Sequence, residues 1–107
     1  MKHLIIALLT MGFTSAALAQ STLDSCTEVP ELAADVMRNR QVNYDIMLML
    51  NRMSSELTDH IELLTWAEAM IDMAYAQPSA TTPETRAQQV EDFKALWEER
   101  CISKMSQ

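Results

Sequence analysis

The chain is 107 residues long and carries a formal charge of −7, with fifteen Asp and Glu against eight Lys and Arg. That length accommodates one domain. The scattered bases Arg38, Arg40, Arg52, Arg86, Lys94, Arg100 and Lys104 exclude the clustered cationic surface that nucleic-acid binding requires, so no nucleic-acid partner is expected. An acidic surface favours basic partners, or serves solubility alone.

Met1-Lys2-His3 is a short basic start, followed by an apolar run from Leu4 to Phe13 and a small-residue stretch ending Ala17-Leu18-Ala19. This order predicts a cleavable secretory signal over residues 1–19, with an A-x-A site, and one helical domain over 20–107. The run is short of the roughly 20 apolar residues that span a bilayer, and no later stretch qualifies. No stable membrane insertion is expected after cleavage, and Leu23-Asp24-Ser25 before Cys26 argues against a lipid anchor. The expected location is the periplasm or the exterior. Cleavage removes one lysine and no acid, which takes the net charge from −7 to −8. It also removes Gly12, the only glycine, and leaves His60 as the only histidine.

Cys26 and Cys101 are the only cysteines. An even count in an oxidising compartment predicts a structural disulfide between them. Two thiols and one distant histidine do not make a zinc pattern, and there is no C-x-x-C redox motif.

The mature sequence is rich in good helix formers and shows no strand-like alternation, which predicts an all-α fold. A first helix starts near Thr27 to Pro30, with Ser25 and Glu28 at capping-box spacing. Its apolar stripe is Val29, Leu32, Ala33, Val36 and Met37, and the pattern fades around Arg40 to Val42. Asn43 is the expected cap of the second helix, with Asp45 in its first turn. Ile46, Met49, Leu50, Met53 and Leu57 form its stripe, but Tyr44, Met47 and Leu48 fall outside it. A helix apolar on so many sides is central or covered by a partner.

The third helix is predicted to start at Asp59, with Leu63, Leu64, Ala67, Met70, Ile71, Ala74 and Tyr75 as its core arc. Trp66 and Met73 widen that arc on one flank, and Pro78 ends the helix. After the loop Pro78-Ser79-Ala80-Thr81-Thr82, Thr82 caps a fourth helix with Pro83 at its first position. Ala87, Val90, Phe93, Trp97 and Cys101 form the last stripe. Glu91, Asp92, Glu98 and Glu99 read as a solvated face.

Ser54 to Asp59 contains no Gly or Pro, so the second and third helices could be one. Their apolar arcs differ by only about 50° on a continuous wheel, and the joint helix would be on the order of 50 Å long. Four antiparallel passes bring Cys26 and Cys101 to the same end, whereas three separate them. A break near Ser55 to Asp59 and a small four-helix arrangement stapled by one disulfide are therefore predicted.

Chemistry is sparse. His60 is isolated, nothing approaches a Ser-His-acid arrangement, and no glycine remains for a phosphate loop. No catalytic residue, metal ligand or cofactor is expected, and the reading is non-enzymatic. Seven methionines survive cleavage, and the pairs Met49 with Met53 and Met70 with Met73 raise Cu(I) coordination as an alternative to core packing. The apolar residues least explained by one core are Tyr44, Met47, Leu48, Trp66 and Met73. They form the candidate protein-binding face, unless the fourth helix or the N-terminal segment covers them.

Glu31 to Gln41 (ELAADVMRNRQ), Ala74-Tyr75-Ala76-Gln77-Pro78, Gln89-Val90-Glu91-Asp92-Phe93 and Cys101 together resemble a family of small signal-bearing helical proteins of bacteria and phages. The resemblance implies an exported helical domain and carries no activity or site with it. Where those sequences tend to place a glycine after the Arg-Gln pair, Val42-Asn43 stands here. Size, signal, helices and single disulfide also suit small periplasmic inhibitor or immunity proteins in format. The leading expectation is an exported binding protein of the bacterial envelope, an inhibitor, immunity-type or envelope-stress factor acting on another envelope protein. The alternatives are a methionine-rich copper-binding module and a self-associating structural protein, possible as a homodimer.

Overall fold

The computed structural model describes residues 26–106. The signal, its cleavage site and the Ser25 cap lie outside the described residues. Four helices follow one another: α1 over 26–41, α2 Ile46–Glu56, α3 Ile61–Ala76 and α4 Pro83–Met105. No strand occurs among the described residues. None of the helices there is long and apolar enough to cross a membrane.

Side-chain links fix the helix directions. Arg52 of α2 pairs with Asp35 of α1 at 2.7 Å, and Lys94 of α4 pairs with Glu31 of α1 at 3.2 Å. Trp66 of α3 meets Trp97 of α4 edge-on, with ring centroids 5.7 Å apart. Each helix therefore runs antiparallel to the next, and α4 closes back on α1. Cys26 and Cys101 are disulfide-bonded at one end, with Cα atoms 5.6 Å apart, inside the range such a bridge spans without backbone movement.

The break between α2 and α3 is present without a Gly or Pro. Leu57 N–H still donates to Met53 O, and the Thr58 hydroxyl donates to Ser54 O and Ser55 O. Those bonds satisfy carbonyls that a continuing helix would have used. α3 then begins one residue later than expected: His60 stands at the cap position and makes no side-chain capping bond. Asp59 lies in the turn and is not the cap.

The cap of α2 is also corrected. Asp45, not Asn43, occupies it, and its carboxylate accepts from Met47 N and Leu48 N at 3.0 and 3.2 Å. Asn43 instead ends α1 with φ of 60°. Asn43 N–H donates to Arg40 O and Tyr44 N–H to Asn39 O, the bond pair that closes a helix through one left-handed residue. Both residues are good caps, but Asn tolerates the left-handed conformation well. Asn thus takes the turn usually given to glycine, and Asp caps two residues on.

At α4, Thr82 caps as expected: its hydroxyl accepts from Thr85 N, and Thr85 Oγ1 accepts in return from Thr82 N. Lys104 in the last turn complements the helix dipole, as does Glu84 in the first.

The core is a single cluster of Cys26, Val29, Ala33, Ala34, Val36, Met37, Met49, Met53, Ala67, Met70, Ile71, Ala74, Val90, Phe93, Trp97 and Cys101. Its largest fully buried side chains include Met37, Met49, Met53 and Met70. Methionine fills the irregular gaps among the helices. Ala87, expected on the α4 stripe, is exposed, because the first turns of α4 precede its packed part.

Among the described residues, one polar side chain, Gln41, is buried with this core. The Gln41 amide nitrogen donates to Gln89 Oε1 and to Met37 Sδ, while its oxygen accepts from Ala80 N–H at 2.9 Å. Beside it, the Arg40 guanidinium donates twice to Gln77 O, at 3.0 and 2.8 Å, and lies over the Tyr75 ring. A buried amide with both ends satisfied holds its neighbours in one arrangement. Here it joins α1 to the loop before α4 and to α4 itself, at the end opposite the disulfide.

Candidate protein-binding face

The five residues proposed for a binding face divide into two groups. Met47 and Leu48 project from the first turn of α2 and are 59% and 54% exposed. The Asp45 cap fixes that turn, since it takes the N–H groups of these same two residues. Val42, in the preceding turn, is also among the exposed large hydrophobics.

Tyr44, Trp66 and Met73 are partly buried and packed against the core. The Tyr44 carbonyl accepts from the Tyr75 hydroxyl at 2.6 Å, and the Arg52 guanidinium lies 5.6 Å from its ring. Trp66 sits against Trp97, with Lys104 Nζ 5.5 Å from its ring centroid. The fourth helix thus covers part of Trp66. The remainder borders two grooves, one of about 240 Å³ with Val29, Ile61 and Leu63, the other of about 490 Å³ with Leu96, Arg100 and Lys104.

Around Met47 and Leu48, the sequence pattern did not mark the uncharged residues that share their side of α2. The outward side of α2 carries Met47, Leu48, Asn51, Ser54 and Ser55, all exposed. On a wheel of 100° per residue these lie within about 60° of Asn51. No ionisable side chain falls among them, because Asp45, Arg52 and Glu56 all lie on one flank. Ile61, at the start of α3, is also exposed but borders the groove with Val29 and Trp66. A helical wheel is sufficient to find the uncharged side of α2, although its serines and asparagine carry no apolar signal.

The other chemical candidates are also located. Met49, Met53 and Met70 are at most 1% exposed and pack within the core, whereas Met73 is partly buried. His60 is exposed at the start of α3, in the smaller groove with Glu28 and Glu62. Among the described residues, no group of three or more His, Cys, Asp or Glu is placed to hold a metal ion. The acids of α4 at Glu91, Asp92, Glu98 and Glu99 are exposed.

Among the described residues, Tyr75 holds its proton more tightly than a free tyrosine. Burial pushes its hydroxyl above the ordinary 10.0, and the nearby Arg40 partly opposes this. Its bond to Tyr44 O ties the end of α3 to the start of α2, so the exposed corner at Val42, Met47 and Leu48 rests on a fixed base. No known protein family, curated protein or solved structure matches the chain.

Proposed function

We propose that this chain is an exported, non-enzymatic binding protein of the bacterial envelope that works by docking another protein. The observation that carries the reading is the pair Met47 and Leu48, large, apolar and more than half exposed on a helix turn fixed by its own cap. Exposed apolar anchors on a rigid element are where binding energy concentrates. The signal-like residues 1–19 and the Cys26–Cys101 bridge support export to an oxidising compartment. The acidic surplus supports a basic partner or a basic rim on one, through faster encounter.

The full-length chain is expressed in a bacterial host and its mature product recovered from the envelope. Mass spectrometry is expected to find the chain starting at Gln20, with two hydrogens lost to the disulfide. The mature protein and its Met47→Asp and Leu48→Asp variants are then used to capture envelope proteins, with capture expected to fall at least tenfold in both variants. Capture indifferent to both changes, or a product that retains residues 1–19, overturns the reading. Trp66→Ala is a poor probe of this face, because Trp66 packs on Trp97 and its loss also disturbs the core.

A further inference from the structure

The last turn of α4 lies on the disulfide. Cys101 and Met105 stand four residues apart on α4, so their side chains share one side of the helix. Cys26, at the start of α1, meets that side through the bridge. Met105 Sδ lies 2.9 Å from Cys26 Sγ. A disulfide sulfur has no proton to donate, so this is a packing contact and not a hydrogen bond. It is closer than the roughly 3.5–4.0 Å between packed carbon atoms, and no other atom fits between the two sulfurs. We infer that Met105 is an oxidation site that guards the bridge. As the thioether it covers Cys26 Sγ, and as the sulfoxide it leaves and opens the bridge to thiols.

Access separates Met105 from the other methionines. Met37, Met49, Met53 and Met70 are at most 1% exposed, out of reach of a dissolved oxidant. Met47 is exposed but stands in the first turn of α2, at the end of the bundle opposite the disulfide. Met105 is half-buried as the last residue of α4, and it lines a groove of about 490 Å³ with Cys26, Pro30 and Ile102. That groove leads an oxidant to Met105 and a thiol to the Cys26 side of the bridge. The two cysteines are otherwise buried.

The chemistry is a two-electron oxidation followed by thiol exchange. Hydrogen peroxide transfers one oxygen atom to the Met105 sulfur, giving the sulfoxide and water; the sulfur is oxidised and the peroxide reduced. The sulfoxide oxygen is polar, and neither bridge sulfur can donate to it, so holding it against Cys26 is unfavourable. The turn yields readily, because a helix end opens at little cost; beyond Met105 it is held by Ser106, whose N–H and hydroxyl donate to Ile102 O. A thiolate then attacks Cys26 Sγ. The bond to Cys101 breaks, Cys101 leaves as a thiolate and takes up a proton, and a second thiol displaces Cys26 from the mixed disulfide. Sulfoxide formation is reversible, so the guard can be restored.

The test is the rate at which dithiothreitol reduces the bridge in the mature protein, before and after mild treatment with hydrogen peroxide. Mass spectrometry locates the added oxygen, expected at Met105 and not at Met53. Reduction is expected to be at least about fivefold faster after treatment, with the helical circular dichroism of the bridged protein unchanged. Met105→Leu keeps the bulk and forms no sulfoxide, and should be reduced slowly both before and after. Met105→Gln puts a polar group in the same place and should be reduced fast without peroxide. Reduction indifferent to peroxide in the wild type, or acceleration that persists in Met105→Leu, overturns the inference. So does Met105 oxidised no more readily than Met53, Met105→Gln reduced as slowly as Met105→Leu, or loss of helix while the bridge is intact, since exposure would then follow from unfolding.

Discussion

The Tyr75 hydroxyl donates a 2.6 Å hydrogen bond to the Tyr44 carbonyl, and through it α3 holds the corner from which α2 departs. Burial raises the ionisation of Tyr75 above 10.0, so the folded chain holds this proton more tightly than the unfolded one. The stabilisation is fully present below about pH 10 and is lost as pH rises through the higher folded value. A phenolate could no longer donate to Tyr44 O. Denaturation midpoints should be insensitive to Tyr75 ionisation near pH 8 and fall above pH 10. In Tyr75→Phe that alkaline fall should be reduced, and stability near pH 7 should be lower by about 1 kcal/mol.

Reducing the disulfide should be the largest single loss. The Cys26–Cys101 bridge closes a separation of 75 positions, worth roughly 4 kcal/mol of loop entropy. That is a large part of the stability of a domain this size. Urea titrations of the oxidised and reduced protein should differ by about that amount, or the reduced chain should already be unfolded. A shift below about 1 kcal/mol would mean the helices hold without the staple.

Gln41→Ala should cost about 1–3 kcal/mol although it removes no apolar contact of note. It leaves the Ala80 N–H and the Gln89 side chain without the partner that satisfies them, and an unpaired buried polar group carries that penalty. Hydrogen exchange should locate the change, with faster exchange at Ala80 than at the disulfide end.

The methionines should separate by burial. Met53→Ala, at a position 1% exposed, should cost about 2–5 kcal/mol through the cavity it leaves. Met47→Ala, at 59% exposure, should change stability by less than about 0.5 kcal/mol. Equal losses at the two sites would contradict the orientation of α2 on which the binding face depends.

The helical class, the four passes and the disulfide were legible because each rests on a strong local rule. Apolar residues at three- and four-residue spacing point inward, and the Thr82-Pro83 start admits one reading. The cap of α2 was not, because Asn43 and Asp45 are both capping types. Only the bonds from Asn43 N–H and Tyr44 N–H back into α1 show which of them takes the left-handed turn. Gln41 gave no signal, since a polar residue where the stripe fades reads as surface, and its burial depends on a loop nearly forty positions away. Tyr44 falls outside its stripe and Trp66 on the flank of its arc, yet both pack against the core, because a wheel gives a direction without the neighbour standing there. For Trp66 that neighbour is Trp97, and for Tyr44 it is Arg52.

The central claim is that the outward side of α2 is where this protein meets other chains. It is tested most directly by ultraviolet crosslinking in living cells, with a photoreactive phenylalanine placed at Leu48 and, separately, at the exposed Glu68 of α3. Discrete adducts from position 48 and none from position 68 are the expected result. Adducts equal at the two positions, or none from position 48, would contradict it.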